Sequence, residues 1–195
     1  MCGLTGFHTP APNAALRSTA LHMADALTHR GPDDAGVWAD EACGLVLAHR
    51  RLSVLELSAA GHQPMQSPDQ RYVIAFNGEI YNHLDLRRQL DADGRAPNWR
   101  GHSDTETLLA CASAWGVEKM LTAATGMFAL ALWDKQTNRL FLARDRLGEK
   151  PLYWGWQNDV LLFGSELKAL RRHPAFGAQV NRQALASFMR HGYIS

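Results

Sequence analysis

The chain has 195 residues, with 20 basic against 19 acidic side chains, a formal net charge of +1 and no block of like charge. That length suits one domain, or one and the beginning of a second, able to bury about 70% of its unfolded surface; the balanced charge excludes nucleic acid and anionic membrane as electrostatic partners. No basic stretch leads into an apolar run and none reaches about 18 apolar residues, so neither a leader nor a membrane span is expected, and the expected location is cytoplasmic.

The chain opens Met1-Cys2-Gly3-Leu4-Thr5-Gly6-Phe7. A small residue at position two allows the initiator methionine to be trimmed, which would leave Cys2 with a free α-amine beside its thiol. A thiol of pKa about 8.5 is mostly protonated at neutral pH, whereas an α-amine of pKa about 7.7 to 8.0 is partly neutral. The amine can therefore take the thiol proton, directly or through one water, and no histidine is required. Gly3 and Gly6 are read as room for a substrate backbone, and Leu4 and Phe7 as the buried side of a first strand. The plainer reading of these residues is a start codon followed by a small buried side chain. Cys43 and Cys111 sit among alanine, glycine and leucine and read as small buried hydrophobes. Three cysteines without C-x-x-C spacing and nine unpaired histidines predict neither a disulfide framework nor a metal site.

Next, Asn13 is placed to cap a helix through Leu16, Ala20, Met23 and Leu27, ended by His29-Arg30-Gly31-Pro32-Asp33-Asp34, where glycine and proline cannot continue it. Val37-Trp38-Ala39 and Leu45-Val46-Leu47-Ala48 read as strands. The second leads into His49-Arg50-Arg51-Leu52-Ser53-Val54-Leu55, whose arginines are either a solvated rim or a receiver for a carboxylate. Gly61-His62-Gln63-Pro64-Met65 reads as a loop. Tyr72-Val73-Ile74-Ala75-Phe76 is a strand, followed by Asn77-Gly78-Glu79-Ile80-Tyr81-Asn82. There Asn-Gly is either a turn or an amide and a glycine N–H converging on one oxygen, the composition of an oxyanion hole.

A polar helix is expected over residues 83–90, then a loop over 93–102. Ser103 and Glu106 have capping-box spacing at the head of a helix through Leu108, Leu109, Ala112 and Trp115; Asp104 either serves the helix dipole or faces a substrate ammonium. From Gly126 the pattern turns to hairpins. Residues 127–133 pair with 139–143, and 152–154 with 160–163, which implies antiparallel sheet and an α+β fold with helices covering sheets. Arg144-Asp145-Arg146-Leu147-Gly148-Glu149-Lys150 is more charged than a turn requires. A last helix is capped by Asn181, runs through Leu185 and Phe188 and ends at His191-Gly192.

Together these stretches resemble the glutaminase domain of glutamine-hydrolysing asparagine synthetases, a class II glutamine amidotransferase with an N-terminal nucleophile. The resemblance is carried by Cys2-Gly3 with Gly6, residues 29–33, His49-x-Arg51-Leu52-Ser53, residues 76–82 and 101–106, Gly126-Met127-Phe128-Ala129, Arg144-Asp145-Arg146-Leu147-Gly148 with Lys150-Pro151-Leu152-Tyr153, and Ser165-Glu166-Leu167-Lys168. It implies a four-layer αββα sandwich with two antiparallel sheets. It also implies Cys2 as the nucleophile that forms a thioester with L-glutamine, Asn77 and Gly78 as oxyanion donors, Arg51 on the α-carboxylate and Asp104 on the α-ammonium. Glu79 and the backbone of Leu52, Ser53, Val54 and Leu55 complete the pocket.

The pair Arg51 and Asp104 matches free glutamine, because a glutamine inside a peptide carries neither charge. The loop from Arg30 to Asp34 is a candidate lid, and the charged segment 144–150 a candidate face for a partner. The family's Ser-Gly-Gly-x-Asp-Ser pyrophosphate loop does not occur in these residues. The expectation is therefore a glutaminase domain over residues 1–190 and the start of a linker over 191–195. Its ammonia would go to a C-terminal or separate ATP-dependent synthetase domain. No cofactor is expected here, ATP and Mg²⁺ belonging to that other domain; a homodimer is compatible with the sequence. The competing class is an amidotransferase-like module that docks or senses glutamine without catalysis. A cysteine peptidase with an internal Cys-His pair is excluded for want of a second cysteine in a polar setting.

Overall fold

The computed structural model describes residues 1–12, 14–54 and 56–193; the expected cap Asn13 and the pocket residue Leu55 lie outside them. Among the described residues nine strands form two antiparallel sheets. The first contains β1 (Gly3–His8), β2 (Asp34–Asp40), β3 (Leu45–Arg51), β8 (Tyr153–Gln157) and β9 (Val160–Gly164), in the order β2-β3-β1-β9-β8. The second contains β4 (Met65–Gln66), β5 (Tyr72–Ile80), β6 (Gly126–Asp134) and β7 (Arg139–Arg144), in that order. Helices α1 (Leu16–Asp25), α2 (His83–Ala92), α3 (Asp104–Trp115), α4 (Val117–Ala123), α5 (Leu167–Leu170) and α6 (Arg182–His191) complete the chain. Among the described residues no helix is long and apolar enough to cross a membrane.

Side chains alternate across each strand, and that period of two sorts the core into layers. Leu4, Leu45, Leu47 and Phe163 of the first sheet meet Val73, Ala75, Ala131 and Trp133 of the second in a cluster between the sheets. Phe7, Val46, Ala48 and Leu162 face the other way, against Leu16, Ala20 and Met23 of α1 and Ala169 and Leu170 of α5. Ile74, Phe76, Leu130 and Leu132 face α2, α3 and α4. The result is the expected four-layer αββα sandwich, and each large apolar side chain buried in it contributes about 1.5–3 kcal/mol. Leu4 and Phe7 are both buried, but on opposite faces of β1, since three positions along a strand reverses the side. Gly6 is not room for a substrate: a Cβ there would lie 2.3 Å from the Val46 carbonyl oxygen and 2.5 Å from the Phe163 ring.

Some local expectations differ in detail. Cys111 is fully buried, whereas Cys43 is half-buried and its thiol donates to Asn138 Oδ1 at 3.7 Å. Ser103 accepts from the Glu106 N–H at 3.2 Å, but Glu106 does not return the bond; its carboxylate accepts from the N–H groups of Arg100 at 2.8 Å and Gly101 at 3.1 Å. Asn181 caps α6 through the N–H groups of Gln183 and Ala184. None of that helix is buried, and Leu185 and Phe188 are about half exposed. The segment 144–150 is folded on itself. The Asp145 carboxylate is buried and accepts from the N–H groups of Phe128, Leu147, Glu149 and Lys150, which outweigh burial and hold its pKa low. Arg146 is spent on the carbonyls of Thr122 and Ala124.

Candidate active site

Cys2 stands at the head of β1, where the chain emerges between the sheets. Its carbonyl accepts from Arg30 Nε at 2.9 Å, and Arg30 is held in turn by Glu166 at 2.9 Å, a carboxylate that also takes His29 and Lys168. Ser165 pins Leu4, two residues on, at both ends: Ser165 Oγ accepts from the Leu4 N–H at 3.0 Å, and the Ser165 N–H donates to the Leu4 carbonyl at 2.8 Å. The thiol donates to the Leu52 carbonyl at 3.6 Å and accepts from the Leu52 N–H at 3.4 Å. Burial raises the thiol pKa, and the Leu52 N–H, the chain's amino terminus and Arg51 offset this only in part. The sulfur is therefore a protonated thiol that needs a base.

Cys2 opens on a cleft with room for about 180 Å³, the scale of one amino acid, and Arg51, Leu52, Val54, Asn77, Gly78, Glu79 and Asp104 line it with Cys2. Ser53 is not part of that wall; its N–H donates to Asp33 Oδ2 at 2.8 Å. The Arg30–Asp34 loop does not act as a lid in this structure. None of its residues lines the cleft, Arg30 braces Cys2, and the Asp33 N–H donates to the Arg51 carbonyl at 3.0 Å.

Asn77 and Gly78 lie inside β5, not in a turn. β6 pairs with β5 as far as Ile80↔Gly126, so the Asn-Gly step is held extended. Asn77 points between the sheets opposite the small Ala129; it is 1% exposed, and its Nδ2 has no hydrogen-bond partner among the described residues. A buried amide donor without an acceptor is costly, and this one lies on the cleft wall. The Gly78 N–H follows from strand phase. β4 pairs only with Val73 and Ile74, which leaves the rest of that β5 edge uncovered. On this edge the Phe76 N–H donates to Gln63 Oε1 at 2.7 Å and the Ile80 N–H to Asp104 Oδ2 at 2.9 Å. Gly78 is in phase with both, so its N–H is directed to the same edge. A side chain is barred there, because a Cβ would lie 2.3 Å from the Met127 carbonyl oxygen.

Arg51 is 7% exposed, with Nη1 donating to the Ser58 carbonyl at 3.1 Å and Nη2 to the Glu56 carbonyl. It packs against Gly61, where a Cβ would lie 2.1 Å from Nη2, so only glycine lets the guanidinium lie flat on that turn. Asp104 is 5% exposed; burial pushes its pKa up, partly offset by the N–H groups of Ile80 and Thr105. A cation arriving in the cleft would relieve that burden. Arg51 and Asp104 thus present opposite charges to one cavity.

Sequence reasoning missed Gln63, Glu56, Thr105, Met127 and Lys150, which also line it. Glu56 ties the loop after Arg51 to the segment before α3, accepting from Ser58 Oγ at 2.6 Å and the His102 N–H at 2.9 Å; the Ser58 hydroxyl and these amides hold its pKa at about 2. Lys150 is 6% exposed and its Nζ donates to Met1 Sδ at 3.1 Å. Met1 itself forms part of the wall beside Cys2, so its removal would open the cleft at the new α-amine. For Gln63, Glu56 and Lys150 charged or amide type alone was the available signal, because the Phe76, His102 and Met1 groups that meet them lie 13, 46 and 149 positions away.

His49 bridges the sheets, its Nε2–H donating to the Phe76 carbonyl at 2.9 Å while Nδ1 is buried without a partner among the described residues. Burial lowers its pKa from 6.5 to about 4. Below pH 6.5 the unfolded chain gains a proton that the folded one refuses, so stability falls with pH across that window. The carboxylates held near pKa 2, Glu56, Asp134 and Glu166, add to the loss only as the pH approaches the carboxylate range. Between pH 6.5 and 5 the unfolding free energy is expected to fall by about 2 kcal/mol, with His173 acting in the same direction. Urea titrations across that range should show a much flatter profile for His49→Gln; an equally steep one removes His49 as the cause.

A family model described as glutamine amidotransferase domain matches residues 1–195. Asparagine synthetase [glutamine-hydrolyzing] 3 of Bacillus subtilis (strain 168) is 40% identical over 189 residues, 95% of this chain and 30% of its own length. Asparagine synthetase B [glutamine-hydrolyzing] of Escherichia coli (strain K12) is 38% identical over 172 residues, 87% of this chain and 30% of its own. The chain thus spans about 30% of the length of these curated relatives. In the solved structure of the glutamine phosphoribosylpyrophosphate amidotransferase from B. subtilis with ADP and GMP, a region 20% identical covers 87% of this chain with a TM-score of 0.71. That likeness concerns the fold alone.

Proposed function

The chain belongs to the glutamine amidotransferase domain family, and from that premise we propose that it hydrolyses free L-glutamine to glutamate and ammonia through a thioester on Cys2. The supporting observation is one cleft that holds a thiol, an orphaned amide donor, a buried guanidinium and a buried carboxylate. Once Met1 is removed, the Cys2 α-amine accepts the thiol proton as sulfur attacks the side-chain amide carbon. Asn77 Nδ2 and the Gly78 N–H donate to the oxygen that becomes negative. The amine returns its proton to nitrogen, ammonia leaves with the electrons of the C–N bond, and the thioester remains. A water then attacks that carbon, gives its proton to the amine, and the C–S bond breaks to free glutamate and restore the thiol. No metal or cofactor takes part in this domain.

Arg51 pairs with the substrate α-carboxylate and Asp104 with its α-ammonium. Asp104→Asn and Arg51→Lys are each expected to raise KM for glutamine about 10- to 100-fold, the scale of one lost charged hydrogen bond, with a smaller change in kcat. Ammonia release against glutamine concentration measures this, and unchanged KM in both variants removes them from the substrate's ends. Ammonia and glutamate formed in equal amounts by the unsubstituted chain is the primary test; glutamine binding without ammonia release would favour a sensing module. In the fuller reading, residues 1–190 are the glutaminase unit of an asparagine synthetase-like enzyme in the cytoplasm. The ammonia passes to an ATP-dependent synthetase domain that uses ATP and Mg²⁺, and assembly as a homodimer is compatible with this.

A further inference from the structure

The geometry points to Gln63 and His49 as positioning residues that stand in for a missing strand along β5 and thereby hold the two oxyanion donors in place. This rests on the glutaminase reading above. The pairing of the two-residue β4 with β5 ends at Ile74, so two residues further on the outward N–H and carbonyl of Phe76 have no strand opposite them. Both are nevertheless satisfied from different directions. Gln63 Oε1 takes the N–H at 2.7 Å, and His49 Nε2–H, reaching across from β3, takes the carbonyl at 2.9 Å.

The Phe76 carbonyl and the Asn77 N–H share one rigid peptide plane, so the His49 bond orients the plane from which Asn77 projects. Gln63 fixes the plane before it. Four residues on from Phe76, Asp104 Oδ2 takes the Ile80 N–H at 2.9 Å, and the Gly78 N–H lies midway between the two tethered positions. An uncovered strand edge without such tethers opens locally. Gln63 is itself held, 6% exposed, with Nε2 donating to Thr105 Oγ1 at 3.4 Å. Gln63 and Thr105 thus link the β5 edge to the first turn of α3, where Asp104 also sits.

The test compares Gln63→Met, which keeps the volume and loses the acceptor, with Gln63→Glu, which keeps an oxygen for the Phe76 N–H. Gln63→Met should lower kcat about 10- to 100-fold, the cost of a misplaced catalytic group, with KM within about twofold, and Gln63→Glu should recover most of it. Amide hydrogen exchange over residues 76–80 should quicken at least about tenfold in Gln63→Met and not in Gln63→Glu. Wild-type kcat and exchange in Gln63→Met, a Glu variant as impaired as the Met variant, or a loss confined to KM would overturn the proposal. The same comparison at His49, Leu against Gln, applies if Gln63→Met does not fold. An unsubstituted chain that releases no ammonia would refute the glutaminase reading, while hydrogen exchange would still decide whether the tether exists.

Discussion

Cys2→Ala is expected to abolish ammonia release from glutamine, a loss on the order of 10⁴-fold or more, as for other nucleophiles that act as a unit with their base. The same loss is expected when one extra residue precedes Cys2. The reason lies in the cleft. The thiol is raised by burial, so an unaided thiolate is scarce. No histidine among the described residues lines the cavity, and the nearby His49 is committed to the Phe76 carbonyl. In the proposed mechanism an α-amine freed by loss of Met1 supplies the base, and an amide nitrogen in its place cannot. Intact mass settles which form is active: the active chain should be lighter by one methionine, and full activity with Met1 retained would refute the amine-base mechanism.

Asn77→Ala is expected to lower kcat about 10²- to 10³-fold, the cost of one lost oxyanion donor, with KM for glutamine within a few-fold. Nδ2 has no protein acceptor among the described residues, so its removal breaks no internal bond. The site is tight, with Ala129 directly opposite, and the amide projects into the layer between the sheets. Ground-state glutamine has little charge on its amide oxygen, which is why the effect falls on turnover and not on binding. Steady-state kinetics of ammonia release would show it; a variant with unchanged kcat would place the oxyanion away from Asn77.

Much of the architecture is legible from local pattern, and the misses have identifiable causes. Local pattern ends the strand from Tyr72 at Phe76 because Asn-Gly is a turn signal, yet β6 offers partners as far as Gly126 and the ladder outweighs local preference. Arg51 reads equally as a rim residue until Gly61 and the carbonyls of Glu56 and Ser58 enclose it. Asp145 reads as part of an exposed charged face, but the N–H groups of Leu147, Glu149 and Lys150, with that of Phe128 on a neighbouring strand, turn onto its carboxylate. Gln63 gives no signal at all, since a buried glutamine is recognised only by partners 13 and 42 positions away.

The sequence by itself determined the hairpins from Gly126 onward and the helix starts at Ser103 and Asn181, and it singled out Cys2 as the candidate nucleophile, because each depends on residues a few positions apart. Only the tertiary structure decided which edge of β5 stays uncovered, where the Gly78 N–H points, and that thiol, amide, guanidinium and carboxylate share one cleft. Those features depend on strand order and on how far β4 extends. Both are settled by long-range pairing and burial, energies that no short stretch of chain contains.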